Sequence, residues 1–290
     1  MANSIALFQT YIALLDEVYR QGAKSSVLDM SGALVTAGAN ANQITIPKYK
    51  LDGLADYKRN SGYVTGDVTV EYETVVYNYD RGRRFTVDAM DNAETAGIAF
   101  GSLSAKFIRD KVVPEMDAFR FAQYAGTENI LSSSDTFTSG EDILTSLAQA
   151  TNKMDEEEVS ETGRILFITP TLLTTAKTVD TYKSQEIFSR FSNIVTVPQK
   201  RFYTGIDLLD GTSSDELAGG YKKADGAKNI NYMIIEPSAT MQYTKHTVNK
   251  VFSPEENQLA DGWAFVYRAY GLCDVYDERA AGIYLSKAAT

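Results

Sequence analysis

Between Ile44 and Asp80 the chain carries two strand-like segments joined by a turn, and a body of this size cannot bury them both. Ile44-Thr45-Ile46 opens the first segment, and Asn60-Ser61-Gly62-Tyr63 supplies turn chemistry near the middle. Val68-Thr69-Val70-Glu71-Tyr72-Glu73 then alternates apolar and polar residues with the strand period of two. After Thr74 the phase slips by one residue, and Val75, Tyr77 and Tyr79 take over the apolar face. Such a slip predicts a bulge or a twist in a long strand. At about 3.3 Å per residue, arms of this length reach roughly 50 Å. A globule of this chain length has a radius of gyration of only about 19 Å. Something outside the subunit has to cover the ribbon, so the chain reads as built for assembly.

Composition bounds the partners. The chain has 290 residues and is 44% hydrophobic, enough for one large or two modest cores. A formal net charge of −10 argues against gripping nucleic acid through a basic surface. Enclosing nucleic acid needs no attraction and stays compatible with that charge. Cys273 is the single cysteine, so no intrachain disulfide forms, and its setting in Tyr270-Gly271-Leu272-Cys273-Asp274 reads as a small buried apolar position. No apolar run approaches the roughly 18 residues of a membrane span, so no membrane partner is expected. The N-terminus has neither a basic start nor an apolar secretion core, and no signal peptide is read there.

Ser4 to Gln21 predicts an amphipathic helix with Ile5, Phe8, Ile12, Leu15 and Tyr19 on one stripe and Ser4 as cap. Gly22 to Asn42, rich in Ser, Gly and Ala, reads as a loosely structured arm with one short apolar patch at Val27-Leu28. The helix stripe is buried either on its own domain or on a neighbour. A second helix, capped by Asp91 or Asn92, carries Ala96, Phe100, Leu103 and Phe107 and runs on to Phe121, with Pro114 kinking or restarting it. At roughly 30 residues it would be about 45 Å long, a structural spine. Gly126 to Gly140 reads as a loop with strand-like pieces and Ser132 to Asp135 as turn material, followed by a helix from Glu141 to about Asp155 with Ile143, Leu147 (or Leu144), Ala150 and Met154 inward. A buried strand spans Arg164 to Thr169, and Thr169-Pro170 starts another helix. Further strands are read at Asn193 to Pro198, Asn231 to Glu236, Trp263 to Tyr276 and Ile283 to Leu285, with a long exposed loop or ragged hairpin over Asp210 to Asn229. The class is α+β, without regular βαβ units.

Signals for chemistry are poor, and no catalytic, cofactor-binding or metal-ligating residue is assigned. Gly219-Gly220-Tyr221-Lys222-Lys223 lacks phosphate-loop spacing. His246 stands alone between Lys245 and Thr247 and reads as a surface strand residue. Asp207 to Gly211 lacks the acidic spacing of a helix–loop–helix calcium site. The run Asp155-Glu156-Glu157-Glu158 reads as a solvated face, and Asp88 and Asp91 as cap and turn residues. Residues suited to contacts between subunits are easier to name. Tyr57 and Tyr63 crowd the ribbon, and tyrosine suits half-wet interfaces. Arg81 and Arg83 fall on one strand face and Arg84 on the other. Their forks either meet carboxylates of a neighbour or are ordinary surface charge. Ile5, Phe8 and Ile12 complete the candidate inter-subunit set.

Three segments carry a resemblance: Asp80-Arg81-Gly82-Arg83-Arg84-Phe85-Thr86-Val87-Asp88, Val112-Val113-Pro114-Glu115-Met116-Asp117, and Gly262-Trp263-Ala264-Phe265-Val266-Tyr267-Arg268. With the succession of elements along nearly the whole chain, they resemble the major capsid protein family of tailed bacteriophages, the Hong Kong 97 fold. The resemblance implies an N-terminal arm over residues 1–43 and an extended two-stranded loop over 44–82 lying on an adjacent subunit. It implies a peripheral domain from 83–124 and 241–270, and an axial domain from 125–240 and 271–290. It further implies a homo-oligomeric icosahedral shell of pentamers and hexamers, assembled in the host bacterial cytoplasm and enclosing double-stranded DNA without specific binding. A separate scaffolding protein and a portal are the implied partners, Met1 lying close to the start of the arm. Lys48, Lys50 and Lys58 lie in the ribbon, but no motif marks a cross-linking asparagine or glutamate. An encapsulin-like compartment shell and a β-rich tail or adhesin protein are the alternative readings.

Overall fold

The computed structural model describes residues 22–30, 43–60, 62–90, 104–179 and 181–289. The predicted helix over Ser4 to Gln21, with Ile5, Phe8 and Ile12, lies outside them, as does the expected start of the spine helix from Asp91 to Leu103.

A five-stranded sheet forms one half of the body, in the order β4 (Leu131–Asp135), β12 (Ile283–Ala288), β9 (Ile230–Ile235), β5 (Ile165–Ile168), β6 (Asn193–Thr196). Its central strands are continuous apolar runs because both faces are covered. On β5, Ile165 and Phe167 face the main core while Leu166 and Ile168 face a second cluster. That second cluster is closed by α2 (Gly140–Glu156), α3 (Pro170–Lys177) and α4 (Thr181–Ser189). On α2 the predicted inward residues Ile143, Leu147, Ala150 and Met154 are all buried. Ser139 and Asp142 close a capping box at its start. Thr169 holds the cap position of α3, but its side chain makes no capping hydrogen bond.

The other half is a three-stranded antiparallel sheet, β10 (Thr240–Phe252), β11 (Gly262–Val275) and β3 (Tyr79–Asp88). The spine helix packs on it. Residues 104–107 are helical, Ile108–Val112 form a π turn, and α1 (Val113–Gly126) follows. Together they span about 35 Å at 1.5 Å per residue. The irregularity predicted at Pro114 is this π turn, in which Val113 N–H donates to Ile108 C=O. A widened turn accommodates a proline ring that would otherwise meet the carbonyl of Asp110. Phe119, Phe121 and Tyr124 of α1 join Phe265, Phe167 and Phe202 in the main core, which therefore spans both sheets.

Four sequence expectations are corrected. Ser132 to Asp135 is not turn material but edge strand β4, parallel to β12, with Asp135 accepting a hydrogen bond from Ser286 Oγ at 2.6 Å. β5, α3, α4 and β6 make one βαβ unit, since β5 and β6 pair in parallel. Gly22 to Met30 is not loose: it carries a 3-10 turn at Ser25–Leu28 and docks on α1. The ribbon contains no bulge at Thr74, because β1 (Gln43–Leu51) and β2 (Val68–Val76) pair one-to-one from Gln43↔Val76 to Leu51↔Val68. Asp210 to Asn229, read as a long exposed loop or ragged hairpin, holds one short strand, β8 (Tyr221–Lys223), whose antiparallel partner β7 (Ile206–Leu208) lies just before the segment.

Candidate assembly surfaces

The phase change after Thr74 has a physical origin other than a bulge. Ile44 and Val75 are directly opposed in the ladder, so they share a face, and that face is buried against Met241 and Leu272 of the body. Met30, Tyr77, Tyr243 and Tyr276 pack around this small cluster. Farther out, the apolar residues of β2 occupy the opposite face: Val68, Val70 and Tyr72 are 60%, 43% and 70% exposed, against 7% for Val75. Side chains alternate across a strand, so the body covers one side of the ribbon at its base, and the greasy side of the projecting part stays open.

The paired part is shorter than the sequence implied, nine residues in each strand or about 30 Å. Residues 52–60 and 62–67 form a non-strand tip, consistent with Gly53, Asp56, Asn60, Gly62 and Gly66 there. Asp67 N–H donates to Asp52 Oδ2 at 2.8 Å and closes the tip's neck. Gly62, at φ +75°, turns the chain back, and its N–H donates to Lys58 C=O at 2.8 Å. The rings of Tyr57 and Tyr63 lie 4.9 Å apart and both are exposed. Leu54 is fully open to solvent. A run of Leu51, Leu54, Tyr57, Tyr63, Val64, Val68, Val70 and Tyr72 with no cover within the described residues is the largest apolar exposure in them.

The three arginines have partners inside their own subunit. Arg81 Nε lies 2.7 Å from Glu115 Oε1 on α1, so the carboxylate sought on a neighbour is supplied by the spine helix. Arg83 Nη2 donates to Leu217 C=O at 2.9 Å and reaches between Gly211 and Gly219 of the β7–β8 loop. Those glycines have φ of +73° and +62°, and a Cβ at Gly211 would meet Arg83 Nη1 at 2.7 Å. Arg84, on the other strand face, donates to Asn257 Oδ1 at 2.6 Å. Arg81 and Arg83 also line a cleft of about 350 Å³ between α1, β3 and the β7–β8 loop.

The docked arm segment rests on a buried polar anchor that carried no sequence signal. Asp117 of α1 is fully buried and accepts the N–H groups of Lys24 and Ser25 at 3.0 Å, the Ser25 hydroxyl at 2.8 Å, and Arg201 Nη1 at 3.1 Å. Arg120 bonds Asp29 at 3.1 Å and Ser25 Oγ at 3.0 Å. Gln242 of β10 donates to Ser25 C=O and Asp29 Oδ1 and accepts from the Tyr124 hydroxyl at 2.8 Å. His246 is exposed on β10 at an irregularity of the ladder, and Cys273 is buried, as the sequence indicated. Burial pushes the Cys273 thiol up to about 12.

No protein-family model matches the chain, and no curated protein does. Solved structures do. The virus-like particle from Pyrococcus furiosus superposes with a TM-score of 0.58 at 14% identity, over 97% of this chain and 99% of that one. A chain of Mycobacterium phage Che8 gives 0.58 at 13% identity, over 85% of each chain. The capsid structure of Cyanophage P-SCSP1u gives 0.56 at 13% identity, over 91% of this chain and 87% of that one. Docked arm, projecting ribbon, spine helix and two sheets together make this the fold of tailed-phage major capsid proteins, the Hong Kong 97 fold.

Proposed function

We propose that this chain is a major capsid protein that closes into an icosahedral shell of pentamers and hexamers around phage double-stranded DNA. The observation that carries the reading is the ribbon: an apolar face left open by its own subunit, on a fold shared with phage capsid structures. Residues 44–82 would lie on a neighbouring subunit, with Tyr57 and Tyr63 at the contact. Residues 83–124 and 241–270 would form the peripheral domain, and 125–240 with 271–290 the axial domain. Each contact need be only modest in area, because a closed shell repeats it by symmetry. The net charge of −10 suits a wall that holds DNA by enclosure, without adhesion. A scaffolding protein that speeds assembly without being required for it, a portal and assembly in the host cytoplasm complete the proposal.

A second reading, an encapsulin-like compartment, draws support from the near-complete mutual coverage with a particle named for a cell rather than a phage. The β-rich tail or adhesin reading fits poorly with a mixed fold built on a spine helix. Electron microscopy and sedimentation of the purified protein without DNA test the shell reading. Closed particles are expected; a monomer at all concentrations overturns the shell, and strict dependence on added DNA overturns passive enclosure. Particles purified from the native source would carry DNA on the first reading and protein cargo on the second.

A further inference from the structure

The chain passes from the ribbon into the body over two residues, Tyr77 and Asn78. β2 is paired with β1 up to Val76, and β3 is paired with β11 from Tyr79, opposite Gly271. Continuing the β3–β11 register would place backbone opposite Leu272 and Cys273, but the chain has already turned away toward the ribbon. The Asn78 carboxamide takes that rung. Its Nδ2 donates to Cys273 C=O at 2.8 Å, and Cys273 N–H donates to its Oδ1 at 3.1 Å. In an antiparallel ladder both groups of one residue face the same neighbour. A carboxamide offers a donor and an acceptor in one plane, as a peptide unit does. Asn78 thus completes the sheet with a side chain and frees the backbone to leave it. Cys273 is buried, so its two backbone groups would otherwise lack a partner there.

Beside this clasp the Tyr77 ring is held on two sides. It lies 4.9 Å from the Tyr270 ring, and Lys245 Nζ sits 4.7 Å from its centroid. The Ile44–Val75 seat lies on the same part of β10 and β11. We propose that Asn78 is the positioning residue of the ribbon: its clasp on Cys273 fixes the direction in which β1 and β2 leave the body. The consequence for assembly, that a fixed direction gives shells of one size, rests on the shell reading; the positioning itself does not.

The test uses the full chain below its assembly threshold, with nitroxide labels at Tyr63→Cys on the tip and Tyr182→Cys on α4. Both sites are exposed, and buried Cys273 stays unlabelled. Pulsed electron–electron resonance reads the tip-to-body distance distribution. Asn78→Ala and the same-shaped Asn78→Asp, which lacks the donor, should each broaden it at least twofold relative to the unsubstituted joint. An effect confined to stability would lower Tm and leave the distribution alone. An unchanged mean and width in a folded Asn78→Asp chain therefore overturns the proposal, even if Asn78→Ala does not fold. In shells, the same variants should give mixed diameters. If the unsubstituted chain forms no shells, the shell reading falls while the distance measurement still decides the role of Asn78.

Discussion

Replacing Tyr72 with threonine separates assembly from folding. The residue sits on the open face of β2 at 70% exposure, and threonine keeps the strand preference while removing the ring. A tyrosine side chain presents about 200 Å². Some 140 Å² is therefore free to be covered, which at about 25 cal/mol per Å² sets a ceiling of about 3.5 kcal/mol. Threonine retains part of that area, the phenol hydroxyl offsets part, and a docked face covers about half of it. About 1.5 kcal/mol per contact remains, roughly tenfold in assembly concentration. Each subunit brings one ribbon, so the penalty applies once for every subunit added. Because the side chain is wet in the free subunit, folding stability should change by no more than about 0.5 kcal/mol. Light scattering against protein concentration reads the assembly threshold, and thermal melting of the unassembled subunit reads stability. An unmoved threshold with a lowered Tm would refute the reasoning, since the ring would then be serving its own fold.

Substituting an Asn-Gly turn for residues 52–67, between the paired Leu51 and Val68, should leave the subunit's Tm within a few degrees and abolish shells by electron microscopy. Asp117→Ala should cost about 3 kcal/mol in chemical denaturation, because Arg201 and the Lys24 and Ser25 amides lose a buried partner; amide exchange at Lys24 and Ser25 should accelerate most. The Arg268 hydrogen bonds hold the Asp80 carboxyl below the ordinary carboxylate range. A lowered folded-state pKa stabilises above the unfolded value near pH 4 and is lost as pH falls through the folded value. The Tm gap between the unsubstituted chain and Arg268→Gln should therefore be present at pH 7 and close below about pH 4. The Cys273 thiol should resist a thiol reagent at pH 8 in the native state and react on unfolding, given its burial and raised pKa.

What the sequence revealed was governed by one-dimensional pattern. The apolar run of β5 announced a buried strand, those of β9 and β12 announced strands, and the period of α2 placed its core residues correctly. The ribbon was legible because alternation persisted where no core could receive it. β10 was legible only at His246, read as a surface strand residue; its extent was not, because Thr240 to Phe252 mixes polar and apolar residues, as an edge strand with a wet face can. β4 was missed because Leu-Ser-Ser-Ser-Asp carries turn chemistry and becomes a strand only when β12 offers a ladder. The sequence left the arginines beside the ribbon to a neighbour's carboxylates or to surface charge; the Arg81 partner was not legible, because Glu115 lies far along the chain and meets Arg81 only through the packing of α1 on β3. The Asp117 anchor is invisible for the same reason: its partners come from the arm and from the turn before Phe202, brought together by the fold. Val75 and Val70 look alike in sequence, and only the seat on Met241 and Leu272 distinguishes the covered face from the open one.

Hydroxyl-radical footprinting of Tyr57, Tyr63 and Tyr72 in free subunits and in purified particles tests most directly whether identical copies cover the ribbon. Oxidation of all three should fall severalfold on assembly while exposed Tyr182 on α4 serves as the internal reference. Equal oxidation of the three tyrosines in both states would mean that the open face stays wet in the particle, and would contradict the account.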